Sequence, residues 1–296
     1  MKKLIKLSFI LLFIGICGSV ATASMTDVFS FETVKLEESH QIDGKNIREL
    51  DVKTTSTDIN IVPTKGENVE VSFSGEVSKR LQDKYELLVD ENGERAEIEV
   101  KNKDLFFYIG IPVIRLTLDI AVPEKTYDKL VVSASSGDIA LEQLEASNLI
   151  FQTSSGDMKL SNIIGENIKS EASSGTIAIE DSEAHHLQFQ ASSGDVNLHN
   201  IQGDIQGVTS SGSIELLNEK ISGNLQVEAS SGNVNVDFTE APQSVVFDFQ
   251  GSSGKADIQL DGVTYKEKSE NRMIGKIGNG KYEIKVRTSS GDFRLN

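Results

Sequence analysis

The chain has 296 residues, of which 38 % are hydrophobic and 25 % charged, so it is long enough for one large domain or two of ordinary size. Its formal net charge is −16, and the remainder after the first 23 residues carries −19, because Lys2, Lys3 and Lys6 contribute +3. So acidic a surface repels the phosphates of nucleic acids and other anionic polymers. The composition therefore excludes nucleic-acid binding.

The beginning of the chain has the pattern of an export signal. A basic segment, an apolar run and a segment of small residues follow one another at residues 1–6, 7–17 and 21–23. This pattern predicts cleavage before Ser24. The uncharged residues 7–26 are also about the ~20 residues that a membrane span needs, so a retained anchor is the alternative. Either interpretation places the chain from Asp27 onward outside the cell.

The only cysteine, Cys17, lies in this first segment. A lipoprotein signal is disfavoured there, because Ile16 is bulky where such a signal needs a small residue. The chain after residue 23 has no cysteine, which excludes disulfides, thiolate metal sites and thiol catalysis in it.

Between the signal and residue 125, the sequence predicts an N-terminal β cap. Residues 50–61 have the pattern of one coil of the repeat described next, with Thr57 at the position of its glycine. The pattern predicts longer antiparallel strands at residues 69–73, 85–89, 96–100 and 114–122, with a hairpin turn at Asn92-Gly93. Such a cap would close the first open end of a stack of strands. The predicted divisions are residues 1–23, 24–125 and 126–296.

From residue 126 onward, the chain is dominated by a repeat of the tripeptide Ser-Ser-Gly. Its eight glycines are 18 to 22 residues apart, except for a last step of 37 residues: Gly137, Gly156, Gly175, Gly194, Gly212, Gly232, Gly254 and Gly291. Apolar residues alternate with polar ones before and after each glycine, which indicates strands with one buried face. Ser170 and Gly207 interrupt the apolar positions. The residue three before each glycine is always small.

These features predict an all-β fold, a parallel β-solenoid of about 19-residue coils. Each coil has two main strands that meet at a tight corner, where the glycine is free to adopt positive φ. Further corners are predicted at Gly165, Gly203 and Gly223. The wide step before Gly291 predicts a degenerate coil that loops out near residues 267–276.

With these residues described, a family resemblance is evident. The Ser-Ser-Gly-Asp-Ile coils, residues 50–61 and Leu-Asp-Ile-Ala-Val-Pro at residues 118–123 resemble the bacterial "putative adhesin" β-solenoid domain family of unknown function, over residues 45–296. The resemblance brings no catalytic residues. The export segment followed by this domain is also similar to a membrane-anchored family member encoded with cell-envelope stress-response genes of the Gram-positive Bacillus.

The corner residues are the first candidates for chemistry. A serine nucleophile needs an oriented base, yet none of the four histidines, His40, His185, His186 and His199, recurs with the serines. We therefore expect the serine hydroxyls to bond to adjacent backbone. The carboxylates after the corner glycine, Asp138, Asp157, Asp195 and Asp292, are expected to cap turns rather than to bind calcium. Weak calcium binding at the neighbours Asp138 and Asp157 stays open.

Two other segments stand out. His185-His186 is expected to lie in an exposed corner loop rather than to bind a metal, because it lacks helical spacing. The aromatic residues 105–112 are expected to plug the end of the solenoid, with an exposed binding or membrane-touching loop as the alternative. No cofactor or metal site is predicted.

Two classes of function remain. The first is a non-catalytic, exported module of the cell surface that binds envelope components, or that binds cationic proteins or peptides through its acidity. It would contact the membrane through residues 1–23 if these stay uncleaved. The second is a polysaccharide-active lyase or hydrolase, by analogy of fold alone. The outward mid-strand positions disfavour an enzyme because they show no concentration of catalytic residues: Ala140, Lys159, Ala178, Asn197, Glu215, Asn235, Asp257 and Arg294.

Overall fold

The computed structural model describes residues 32–103 and 113–296, which form 21 strands and one short 3₁₀ helix. No helix in these two ranges has the length and apolarity that crossing a membrane requires. The elements in chain order are β1 (Thr33–Ile42), β2 (Glu49–Thr54), β3 (Asp58–Thr64), β4 (Val69–Ser78), the 3₁₀ helix (Lys79–Leu81), β5 (Tyr85–Asn92), β6 (Arg95–Asn102), β7 (Ile114–Pro123), β8 (Thr126–Ala134), β9 (Ile139–Thr153), β10 (Met158–Ala172), β11 (Ile177–Ala191), β12 (Val196–Thr209), β13 (Ile214–Asn218), β14 (Leu225–Ala229), β15 (Val234–Phe238), β16 (Val245–Gly251), β17 (Ala256–Ile258), β18 (Thr264–Lys268), β19 (Arg272–Ile277), β20 (Tyr282–Thr288) and β21 (Phe293–Leu295).

The predicted parallel β-solenoid is confirmed. Strand β10 pairs in parallel with β9 on one side and with β11 on the other, so Met158 lies opposite Ile139 and Ile177. Strands β9 to β12 are 14 or 15 residues long, because each continues from one corner around a third side of the coil to the next corner. The alternating apolar residues face inward and form one continuous core. The 21 strands form one sheet, which is not closed.

The two interruptions of the apolar pattern are explained by packing. Ser170 lies opposite Phe151 on one side and Phe189 on the other, and Phe189 in turn lies opposite Gly207. A Cβ at Gly207 would lie 2.1 Å from Cζ of Phe189. Large and small side chains therefore alternate from layer to layer, as close packing of a narrow core requires.

The third side of the coils begins with a corner that the sequence analysis did not predict. Six residues after the corner glycine, the backbone adopts left-handed φ values between 49° and 56°, at Gln143, Asn162, Asp181 and Asn200. Asn and Asp adopt this conformation more readily than other residues with side chains. Of the predicted third-side corners, Gly203 has a φ of 112°, and a Cβ at Gly223 would lie 2.0 Å from the carbonyl oxygen of Gly203.

At the N-terminal end, β2 and β3 form the predicted leading coil. They pair in parallel with β8 and β9, and a Cβ at Gly137 would lie 2.0 Å from the carbonyl oxygen of Thr57. The other side of this coil is covered by β6 and β7, which run parallel to it. The predicted antiparallel pairing is present between β5 and β6 and between β4 and β7. Antiparallel strands come only outside them: β5 beside β6, then β4 and β1 beside β7.

The C-terminal end differs from the prediction of a degenerate coil. Strands β20 and β21 form a regular coil, which we call the inserted coil, and it lies between β14–β15 and β16–β17. A Cβ at Gly291 would lie 1.8 Å from the carbonyl oxygen of Gly232, and one at Gly254 would lie 1.8 Å from that of Gly291. Strands β18 and β19 form an antiparallel hairpin beside β16 instead of looping out.

Candidate functional site

The corners stack into a narrow ridge, which we call the serine ridge: the eight Ser-Ser-Gly corners between residues 135 and 291. Backbone amides hold it together from layer to layer, as where Ser174 N donates to the carbonyl oxygen of Ser154 at 3.0 Å. A Cβ at Gly175 would lie 1.7 Å from the carbonyl oxygen of Gly156. The layers are therefore so close at this point that only glycine fits, and the positive φ expected of the corner glycines is found at none of the eight.

The serine side chains do not have the role expected for them. All sixteen are exposed, and none of their hydroxyls makes a hydrogen bond within residues 32–103 and 113–296. The expectation that they bond to adjacent backbone is wrong, because it is the serine amides that make the contacts between layers. Where threonine precedes the corner, it closes the turn instead: Thr153 Oγ1 accepts from Gly156 N at 3.0 Å. The ridge thus presents two columns of free hydroxyl groups to solvent.

No histidine is placed on this ridge to activate a serine. His186 lies opposite Asn167 and Asp204, on the third side of the coils. His199 lies one residue before that side begins at Asn200, opposite Glu180. His185 and His186 are both exposed. Within the two described ranges, no group of three or more His, Cys, Asp or Glu side chains is arranged to hold a metal ion.

The carboxylates beside the ridge bond to the neighbouring layer. Asp138 Oδ1 accepts from Asp157 N, and Asp157 Oδ1 accepts from Thr176 N, both at 2.8 Å. Asp195 and Asp292 accept in the same way from Ser213 N and Lys255 N. The capping expected from the sequence is present, although each side chain caps the next layer's turn rather than its own.

The sequence analysis missed one member of this column. Asp58 Oδ1 accepts from Asp138 N at 3.0 Å, so three consecutive layers carry a carboxylate here. The signal was available, because Asp58 follows Thr57 as Asp138 follows Gly137.

A shallow groove of about 390 Å³ runs along the ridge over four layers, and we call it the ridge groove. Ser133, Gln152, Glu171 and Gln190 line it from the sheet, and Ser154, Ser173 and Ser192 line it from the ridge. Between these two rows in sequence lie the small buried residues Ala134, Thr153 and Ala172, which leave the space for the groove.

Among the residues that the structure describes, Glu171 is the only charged one that lines this groove. It forms an ion pair with Lys169 at 2.6 Å, and its Oε2 accepts from Gln152 Nε2 at 2.7 Å. The hydrogen bond from Lys169 and then that from Gln152 lower the pKa of Glu171. The groove therefore combines one ionised carboxylate with amides and hydroxyls.

The third side of the coils is acidic, and we call it the acidic side. Residues 143–148, 162–167 and 181–186 contain no Lys or Arg. Their acids are Glu145, Glu166, Asp181 and Glu183. Ile164, which is 50 % exposed, lies between Glu145 and Glu183.

The outward mid-strand positions form a single row on the strands that follow the corner glycines. In spatial order the row is Ala140, Lys159, Ala178, Asn197, Glu215, Asn235, Arg294 and Asp257. Glu215 lies between Asn197 and Asn235, so no two carboxylates of this row are neighbours. Glycoside hydrolysis uses a facing pair of carboxyl groups, and this row does not provide one. The aromatic residues 105–112, the export segment and Cys17 lie outside the described residues.

The stacked coils define a repeat protein of the parallel β-solenoid class. A family model described as Toastrack DUF4097 matches residues 47–296, and the chain belongs to this family. No curated protein matches the chain.

Solved structures share the fold at low sequence identity. One described as a "putative adhesin" from Bacteroides fragilis has a TM-score of 0.50 and 8 % identity, over 90 % of this chain and 98 % of that chain. A "putative cell adhesion protein" from Clostridium sporogenes has a TM-score of 0.33 and 14 % identity, over 88 % and 99 %. A "putative lipid binding protein" from Parabacteroides distasonis has a TM-score of 0.43 and 12 % identity, over 88 % and 97 %. These likenesses concern the fold alone.

Proposed function

We propose that this protein is an exported, non-catalytic binding module of the cell surface, of the adhesin-like kind. The observation that carries the proposal is the serine ridge, a row of exposed hydroxyls that have no hydrogen-bond partner among the described residues and no histidine beside them. Such a row offers many equivalent contacts to a ligand and no activated nucleophile. The name of the structure from Bacteroides fragilis, a "putative adhesin", agrees with this proposal.

The location follows from the export segment. In the proposal, residues 1–23 carry the chain out of the cell, as a cleaved signal or as an anchor on the outer face of the membrane. Strand β1 starts at Thr33, so an anchored rod has its N-terminal end nearest the lipid. At ~4.8 Å per layer the stacked coils extend roughly 45 Å from there. Association with the envelope stress response, as in the similar anchored family member, belongs to the same proposal.

The charge indicates what kind of protein partner would bind. The acidic side concentrates carboxylates without compensating cations, so it attracts basic proteins or peptides and repels polyanions. Because exposed charges are screened beyond ~8 Å at physiological salt, this attraction weakens as ionic strength rises.

Digestion of whole cells tests the location. Cells that produce the full chain are treated with a protease, and the chain is followed with an antibody together with a cytoplasmic marker protein. We expect the domain to be lost while the marker survives. A domain that stays intact in undamaged cells contradicts the proposed location.

Incubation with polysaccharides tests the absence of catalysis. The purified protein is mixed with wall and plant polysaccharides, and new reducing ends and unsaturated products are measured. We expect neither product to increase over a sample without protein. Depolymerisation of any of them would instead favour the alternative, a polysaccharide-active enzyme.

A further inference from the structure

The ridge groove has the composition of a binding site for a ligand rich in hydroxyl groups. Its lining offers amides that both donate and accept, hydroxyls that do the same, and one carboxylate. Its volume of about 390 Å³ lies within the range of small-ligand sites. The hydroxyls of Ser154, Ser173 and Ser192 have no hydrogen-bond partner in the part of the chain that the structure describes, so a ligand displaces only water from them.

An extended peptide does not fit this groove. Peptides that bind along sheets use unpaired backbone groups of an edge strand. Here the backbone is already paired between layers, as Ser173 N donates to Thr153 O at 3.2 Å and Gln152 lies in register with Glu171. The groove also has no large apolar side chain in its lining that could hold an anchor residue.

The charge of the groove excludes polyanions as ligands and disfavours cationic partners. Polyanions are repelled by Glu171, by Asp138 and Asp157 beside the ridge, and by the net charge of the chain. A cationic partner finds a stronger attraction on the acidic side, since Glu171 is already paired with Lys169. An uncharged ligand remains.

We propose that the ridge groove binds an uncharged polysaccharide chain that runs along the axis of the rod. This inference rests on the proposed function and adds the site and the chemical class of its ligand. The side chains of Gln152, Glu171 and Gln190 contact the polymer from the sheet, and those of Ser154, Ser173 and Ser192 contact it from the ridge. Adjacent layers are ~4.8 Å apart, so the four layers span roughly 15 Å.

The test is binding of the purified protein to soluble uncharged polysaccharides, a dextran, a mannan and a β-glucan, measured by affinity electrophoresis and calorimetry. The double variant Ser173→Ala/Gln190→Ala removes two contacts of the groove. The matched control, Gln226→Ala/Ser230→Ala, changes an outward glutamine and a first corner serine two layers beyond the end of the groove, where neither residue lines it. We expect at least one polymer to bind, and the groove variant to lower its affinity about tenfold or more, with no change in the control.

Two further measurements separate the outcomes. A disaccharide of the same sugar should bind more weakly than the polymer, because it is too short to contact all four layers. Melting temperatures show whether the variants are folded, and all four substituted side chains are exposed. Binding to none of the polymers, or equal affinities for both variants, overturns the proposed groove. If the purified protein still binds isolated cell envelopes, only the proposal for the groove is wrong, and the proposed function as a surface module is not contradicted.

Discussion

Asp157 is hydrogen-bonded to Asp138 of the preceding layer, because its amide donates to Oδ1 of that side chain at 2.8 Å. Its own Oδ1 accepts from the amide of Thr176 in the following layer at the same distance. Each carboxylate in this column therefore satisfies a backbone donor that the next turn leaves unpaired. Each carboxylate in the column therefore contributes to stability through one hydrogen bond to the next layer.

Replacing Asp157 tests this bond. Asp157→Ala leaves the amide of Thr176 without its acceptor, and we expect the free energy of unfolding to fall by about 1–2 kcal/mol. Asp157→Asn should cost less, because an amide oxygen serves equally in the same position, where Asn233 Oδ1 accepts from Asp292 N at 2.9 Å. Urea unfolding of the three proteins gives the comparison. Equal losses for both variants would show that charge, and not the acceptor, matters at this position.

Calcium should leave the stability unchanged. A calcium site needs six to eight oxygen ligands, and the carboxylates of Asp138 and Asp157 each use one oxygen on a backbone amide. We expect the melting temperature of chelator-treated protein to be the same with and without millimolar calcium. An increase of more than a few degrees would mean that this column binds the ion.

The corner should require its glycine but not its serine. In Gly175→Ala, the added Cβ would lie 1.7 Å from the carbonyl oxygen of Gly156, so the layers must separate and the protein should be strongly destabilised. Ser174→Ala removes an exposed hydroxyl that has no hydrogen-bond partner within residues 32–103 and 113–296, and we expect a change below ~0.5 kcal/mol. Melting temperatures distinguish the two. A large loss in Ser174→Ala would reveal a structural role that the hydroxyl does not have in this structure.

Substitution by aspartate should destabilise the protein strongly at one residue of a strand and hardly at all at its neighbour. Leu198 is 2 % exposed and lies between Ile179 and Leu216, so Leu198→Asp buries an unpaired carboxylate and should cost several kcal/mol. Asn197 faces solvent, and Asn197→Asp should change stability by less than ~0.5 kcal/mol. Thermal unfolding measures both. Similar melting temperatures would contradict the register of this strand.

Alkaline pH should weaken the fold through Tyr127. Burial raises the pKa of this phenol to about 12, and its hydroxyl donates to the carbonyl oxygen of Pro123 at 3.1 Å. The unfolded value is near ~10, so the folded chain holds the proton more tightly. The contribution of Tyr127 is present below pH ~10 and is lost as the pH rises toward about 12, by about 3 kcal/mol in all.

Tyr127→Phe provides the control for this titration. The variant lacks the ionisable group, so its free energy of unfolding should fall less steeply than that of the unchanged protein above pH ~10. Other tyrosines titrate equally in both proteins and cancel in the difference. Parallel pH profiles would show that Tyr127 does not contribute.

The body of the fold could be predicted from the sequence because several local signals agree. Glycine at each corner, a small residue three positions before it and apolar residues at alternate positions all indicate the same coil, and Thr57 shows that the pattern holds without the glycine. The ends could not be predicted in this way. The inserted coil has the same pattern as its neighbours, so the pattern cannot tell which layers it separates.

The site was less predictable than the fold. Ser-Ser-Gly indicates a turn, but whether a hydroxyl bonds to backbone or faces solvent depends on the distance between layers, which the motif does not contain. The left-handed corner at Asn162, Asp181 and Asn200 is marked in the sequence by Asn or Asp six residues after the glycine. Gln143, at the same position of the first coil, departs from this pattern. The ridge groove needed the structure, because Gln152, Glu171 and Gln190 come from three different coils.

The inserted coil has a consequence for how the molecule is assembled during synthesis. Strands β16 and β17 leave the ribosome before residues 282–296, yet the layer between them and β14–β15 consists of those later residues. The central layers do not depend on later residues in this way, since each can stack on a layer that has already been synthesised. Closing this end is therefore a late and non-local step, which slows folding. A chain interrupted before residue 282 would keep unpaired strand edges on both sides of the missing layer, so exposed edges would mark an unfinished rod for a protease or a chaperone.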